Sequence, residues 1–158
     1  MKTKTLLSVL LGGIVASAIL VSSTTTAERS IAQTPMEAAE GYFDAIIAKD
    51  KEGMMFYAKD TNYLDEKSRE EGYREDLKTN PTSSYEIVGS KQINSNEFEL
   101  SVILNYSGEG YKHTPPLPYK VFKSENSWKV LVEPLEINTL TGDVKKGMPI
   151  YKWQYTDS

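Results

Sequence analysis

Near Ser84 the spacing of apolar residues changes, and only a mixed fold accommodates the change. Upstream they recur every three or four residues; downstream they alternate with polar ones. In EFELSVILNY, Phe98, Leu100, Val102, Leu104 and Tyr106 fall on one face, while Glu97, Glu99, Ser101 and Asn105 fall on the other. Such alternation predicts an antiparallel strand with one face on a core and one in water. SYEIVGSKQI precedes it across a turn at Asn94-Ser95-Asn96. KVFKSENSWKVLVEP, from Lys120 to Pro134, reads as a hairpin closed by a polar loop of about four residues. There Tyr119 and Val121 share a face, as do Trp128, Val130 and Val132.

The upstream half reads as helices. Thr34 is placed to cap the first, Pro35 suits its first position, and Glu37 completes the spacing of a capping box. Ala39, Tyr42, Phe43, Ile46 and Ile47 make one apolar stripe. Asp50 caps a shorter helix, KEGMMFYAKD, and a third begins near Asp65 and ends at Asn80-Pro81. That third helix is densely charged, with only Tyr73 and Leu77 facing inward. Helices followed by strands predict an α+β domain over residues 33–138, its N-terminal helices packed on a curved antiparallel sheet of about four strands. Residues 139–158 form an extension, in which Ile150, Trp153 and Tyr155 suit either an added short strand or a segment folded back across the sheet.

Residues 1–32 have the layout of a secretory leader. Lys2 and Lys4 precede the apolar run Leu6 to Val21, and a Ser/Thr-rich stretch follows. Small residues mark two cleavage points, after Ala27 and after Ala32, the second preferred; an uncleaved membrane anchor is the alternative. The expected location is secreted or extracytoplasmic. The chain has no cysteine, so thiol chemistry and disulfides are excluded, as is a lipidated leader. Its net charge of −4 makes nucleic acid a poor partner. Lys, Asn and Tyr are plentiful and only Arg29, Arg69 and Arg74 occur as arginines, a composition of Gram-positive character.

No catalytic or metal-binding constellation stands out. His113 is the single histidine and sits in a Gly- and Pro-flanked loop, GYKHTPP, where an exposed position is expected. Asp60, Asn62 and Asp65 have a faint calcium-loop spacing, but the required glycine is missing and helix capping by Asp65 accounts for them. Asn105-Tyr106-Ser107 matches the glycosylation pattern at a strand end, where it carries little weight. Tyr42, Phe43, Tyr57, Phe98, Tyr106, Tyr119 and Trp128 are the candidate pocket-lining residues. As a pocket they would accept a flat or apolar ligand or a peptide; as plain core they need no ligand. The loop YKHTPPLPY reads either as a protein-contact surface or as a rigid cap on a strand edge.

The order of elements, with Tyr42-Phe43-Asp44-Ala45, the Lys49-Asp50 turn and Ser127-Trp128-Lys129-Val130, resembles the NTF2-like (cystatin-like) superfamily, and its small exported bacterial domains above all. The resemblance covers Thr34 to Asn138. It departs from the family where Thr61 to Leu64 is too short for the usual strand pair, which leaves the cone-shaped pocket open on one side. With the absence of a catalytic set, it leads to the expectation of a non-catalytic exported module binding a protein, a peptide or a cell-envelope component, without a cofactor; the resemblance also implies a homodimer through the exposed sheet face. The alternative it implies is a small isomerase or dehydratase with an acid buried in the cone, for which Asp44 is the nearest residue.

Overall fold

The computed structural model describes residues 29–110, 112–138 and 140–149. The leader run Leu6 to Val21 and the tail residues Ile150, Trp153 and Tyr155 lie outside the described residues. Among the described residues, no helix is long and apolar enough to cross a membrane.

Helix α1 (Pro35–Ile47) starts at Thr34, whose hydroxyl accepts the Glu37 N–H at 3.2 Å. The expected capping box closes differently, because the Glu37 carboxylate takes the N–H of Gln33, one residue earlier, at 2.7 Å. Helix α2 (Lys51–Tyr57) is capped by Asp50. It is shorter than its sequence predicts: Ala58, Lys59 and Asp60 leave the helix and form strand β1. Helix α3 (Glu66–Thr79) begins at Asp65, and here a capping box does form, between Asp65 and Ser68.

The strands are β2 (Thr82–Asn94), β3 (Glu97–Tyr106), β4 (Leu117–Ser124) and β5 (Ser127–Val132), in the sheet order β1-β5-β4-β3-β2. The sheet therefore has five strands rather than about four, and it is mixed, since β1 runs parallel to β5. The physical reason is local. Once Ala58 turns extended, its backbone N–H and C=O groups need partners, and the open edge of β5 supplies them. In β2 the register slips at three places, one of them at Val88. Each extra residue bends the strand, and the slip at Val88 pairs Ser90 and Gln92, both exposed, with Leu100 and Phe98, so the half-buried run of Tyr85 and Ile87 does not continue beyond it. The β4–β5 hairpin is tighter than the sequence suggests: Lys123 and Ser124 stay in β4, leaving Glu125-Asn126 as the turn, with Glu125 at φ 53°. Two further strands, β6 (Leu135–Ile137) and β7 (Val144–Lys146), pair with each other and not with the main sheet.

Helix α1 lies across β5, β4 and β2. Leu100, Val102, Val121 and Val130 are fully buried beneath it, together with Ala38, Ala39 and Phe43. The structure is thus α+β, helices on one face of a sheet, as the period change predicts.

Candidate functional site

The seven rings singled out from the sequence mostly meet one another. Phe43 stands 5.3 Å from Tyr42, 5.1 Å from Tyr85 and 5.0 Å from Tyr119, and Phe98 stands 5.6 Å from Trp128. The Tyr42–Phe43, Phe43–Tyr119 and Phe98–Trp128 pairs meet edge to face, an arrangement that satisfies ring quadrupoles within the core. Burial pushes the Tyr42 and Tyr119 phenols well above their usual range. Tyr57 packs over Gly41, and Tyr106 is half-buried in β3. Tyr57 also lines a smaller cleft of about 330 Å3 with Ser30 and Asp50.

A cleft elsewhere in the molecule is lined by none of these rings. It has a volume of about 680 Å3 and lies at the sheet edge, between the end of α2, β1, the start of α3 and the β4–β5 hairpin. Strand alternation builds one wall. Phe122 and Lys129 are cross-strand partners, so they project to the face opposite Val121 and Val130. Helix α3 builds another, presenting Glu66 and Arg69, with Leu64 just before its cap and 67% exposed. Tyr63 completes that wall by lying against Gly72, where a Cβ would come within 2.4 Å of its ring.

Two cations stand over the end of α2. Arg69 is only 8% exposed, and its Nη2 donates to the carbonyls of Met54 (3.1 Å), Met55 (3.3 Å) and Ala58 (2.9 Å). Lys129 donates to the carbonyl of Phe56 and lies 4.5 Å over the Phe56 ring. The last carbonyls of a helix lack internal partners, and cations there also meet the negative end of the helix dipole. Burial lowers the Lys129 pKa, and the neighbouring Arg69 charge lowers it further. Among the described residues neither cation enters an ion pair. The Arg69 Nε–H is buried without a partner.

Two of the three acids that line the cleft, Asp60 and Asp65, are equally committed. Asp60 accepts from the Tyr73 hydroxyl and from both the backbone and side-chain nitrogens of Asn62, each at 2.8 Å. Asp65 accepts the Ser68 N–H at 2.8 Å. Among the described residues no group of three or more His, Cys, Asp and Glu converges as a metal site. The result is an open groove with both signs of charge beside the exposed Leu64 side chain.

Arg69 is the residue the sequence reading passed over. It stands four residues before Tyr73 and eight before Leu77, on the same inward stripe of α3, and that spacing was the available signal. His113 is exposed, its Nδ1 3.0 Å from the Thr114 carbonyl. Its loop docks on β3 through Thr114, which is buried and exchanges bonds with the backbone of Leu104. Asp44 is exposed on α1 and accepts from the Tyr85 hydroxyl at 3.2 Å. Asn105 donates to Ser84 across the β2–β3 pair.

No protein-family model and no curated protein matches the sequence. Among solved structures, the chain is similar to one from Campylobacter jejuni whose name calls it an NTF2-like transpeptidase, at 12% identity and a TM-score of 0.45, covering 63% of this chain and 99% of that one. A likeness of that size assigns neither a family nor an activity.

Proposed function

We propose that this chain is an exported, non-catalytic binding module of NTF2-like type, and that its edge cleft receives a peptide or a peptide-bearing component of the cell envelope. The observation that carries the reading is the cleft itself. It places exposed Leu64 and the half-buried rings of Phe56 and Phe122 beside charges of both signs, which suits the apolar side chains and charged termini of a short peptide. The ionisable groups support binding rather than turnover, because Asp60, Asp65, Arg69 and Lys129 already hold the backbone or one another's neighbours in place. The isomerase or dehydratase alternative draws no support from Asp44, which faces solvent on the outer side of α1.

The test is a nuclear magnetic resonance titration with di- and tripeptides carrying free termini, alongside acetylated and amidated versions. Amide shifts are expected to cluster at Lys59 to Leu64, Phe122 and Lys129. Leu64→Asp and Lys129→Glu are expected to weaken binding by about tenfold each, equivalent to about 1.4 kcal/mol. A panel that shifts nothing, or shifts only residues around α1, would sink the reading.

A further inference from the structure

Four residues ahead of α1 are built into the fold. Arg29 Nη2 donates to both carboxylate oxygens of Asp50, at 2.8 and 2.9 Å, and Asp50 is the cap of α2. The Ser30 carbonyl accepts from the Tyr57 hydroxyl at 3.3 Å. The Tyr57 ring in turn lies so close over Gly41 that a Cβ there would come within 2.7 Å of it. The Ala32 carbonyl accepts the N–H of Trp128 at 3.0 Å, and Ala32 is 3% exposed, part of the core. Residues 29–32 are therefore a strap that ties the start of α1 to α2 and to β5.

We infer that the leader is removed after Ala27, leaving Glu28 as the first residue of the exported protein, and that the Ser30-Ile31-Ala32 site is not used. This rests on the export reading above. A cut after Ala32 discards all three anchors: the Asp50 cap loses its guanidinium, Tyr57 loses its acceptor, and the first N–H pairing of β5 with the strap is broken. A cut after Ala27 discards none of them and leaves a single residue ahead of Arg29. The two sites satisfy the small-residue requirement equally well, since Thr25 and Ala27 match Ser30 and Ala32. They differ in what else explains their residues. Ala32 is small because it packs in the core with its carbonyl against β5, so its match to a cleavage signal follows from packing. Once folded, Ala32 is buried and its carbonyl is held by the Trp128 N–H, so the bond that follows it is not presented as free extended chain.

The experiment expresses the full chain in a secreting Gram-positive host and determines the N-terminus and intact mass of the released protein. The expected product begins at Glu28 and is five residues longer, Glu28 to Ala32, than the product of the second site. Ser30→Lys places a charge where the second site needs a small residue. Ser30 is exposed and contributes its backbone carbonyl to the strap, so release and the N-terminus are expected to stay unchanged. A released protein beginning at Gln33, a loss of release in Ser30→Lys, or a wild-type chain held uncut at the membrane each overturns the inference while leaving export standing. A full-length chain found only in the cytoplasm overturns the export reading and this inference with it.

Discussion

Val121 and Val130 meet one environment, and Phe122 and Lys129, one residue away on the same two strands, meet another. The valines are fully buried under α1 among rings and aliphatic side chains. Their neighbours face the edge cleft, where the end of α2 is held by a lysine and an arginine. The α1 side is stabilised by area removed from water, which depends on volume and shape. The cleft side is stabilised by hydrogen bonds from two charged groups to backbone carbonyls that have few other partners, which depends on particular atoms. Interior substitutions should therefore scale with size, and edge substitutions with the donors they remove.

The largest effect is expected at Phe43, 1% exposed and in contact with three rings. Phe43→Ala should cost about 3–5 kcal/mol, read from the midpoint of urea unfolding. A cost below about 2 kcal/mol would mean a loosely packed interior and would remove the contrast. Next comes Arg69→Met, which keeps a stem of similar length and deletes the guanidinium. It removes the guanidinium from the carbonyls of Met54, Met55 and Ala58, of which Met54 keeps the Ala58 N–H, for an expected loss of about 2–3 kcal/mol. Arg69→Lys should recover only part of this, because an ammonium does not reproduce the planar donor set. If Arg69→Met were neutral, the edge would be held by packing as the interior is.

A smaller effect belongs to the strap. Arg29 and Asp50 are both partly solvated, so Arg29→Ala should cost no more than about 1 kcal/mol at neutral pH. The acid limb of the stability profile is the sharper readout. Burial alone would raise the Asp50 pKa, but the bonds from Arg29 and from the Gly53 N–H outweigh it and hold the carboxyl below its usual range. A carboxylate whose pKa is depressed by folding stabilises fully above its unfolded value, about 3.9, and loses that contribution as pH falls through the folded value. Arg29→Ala should flatten the loss of stability in that acid window, measured by thermal unfolding between pH 7 and pH 2. The smallest effect is a gain. Glu125 occupies the left-handed region at the hairpin tip, so Glu125→Gly should stabilise by up to about 1 kcal/mol and leave both faces of the hairpin unchanged.

Much of this architecture was legible from periodicity. The α1 stripe, the alternation of β3 and the caps Thr34, Asp50 and Asp65 all stand where the residue order places them. Each is a local matter: a side chain bonding its own helix start, or a face repeating every two or 3.6 residues. Strand β1 was not legible. AKD continues the helical run KEGMMFY without a breaker, and only the unsatisfied edge of β5, some seventy residues later, draws it into a sheet. The bulge at Val88 is equally silent, because a slipped register reads locally as an ordinary strand.

The cleft was the least legible part. Lys129 was visible only as the middle of a Trp-Lys-Val motif, and Arg69 only as one charge among many on a polar helix. By itself the sequence determined the class of fold, the inward face of α1 and of β3, and the residues that start each helix, because those follow from neighbours in the chain. The tertiary structure alone decided that Arg69 and Lys129 meet over the end of α2, that Ala32 belongs to the core, and that β1 closes the sheet. Those outcomes follow from groups far apart in sequence competing for the same backbone partners, and no local pattern records that competition.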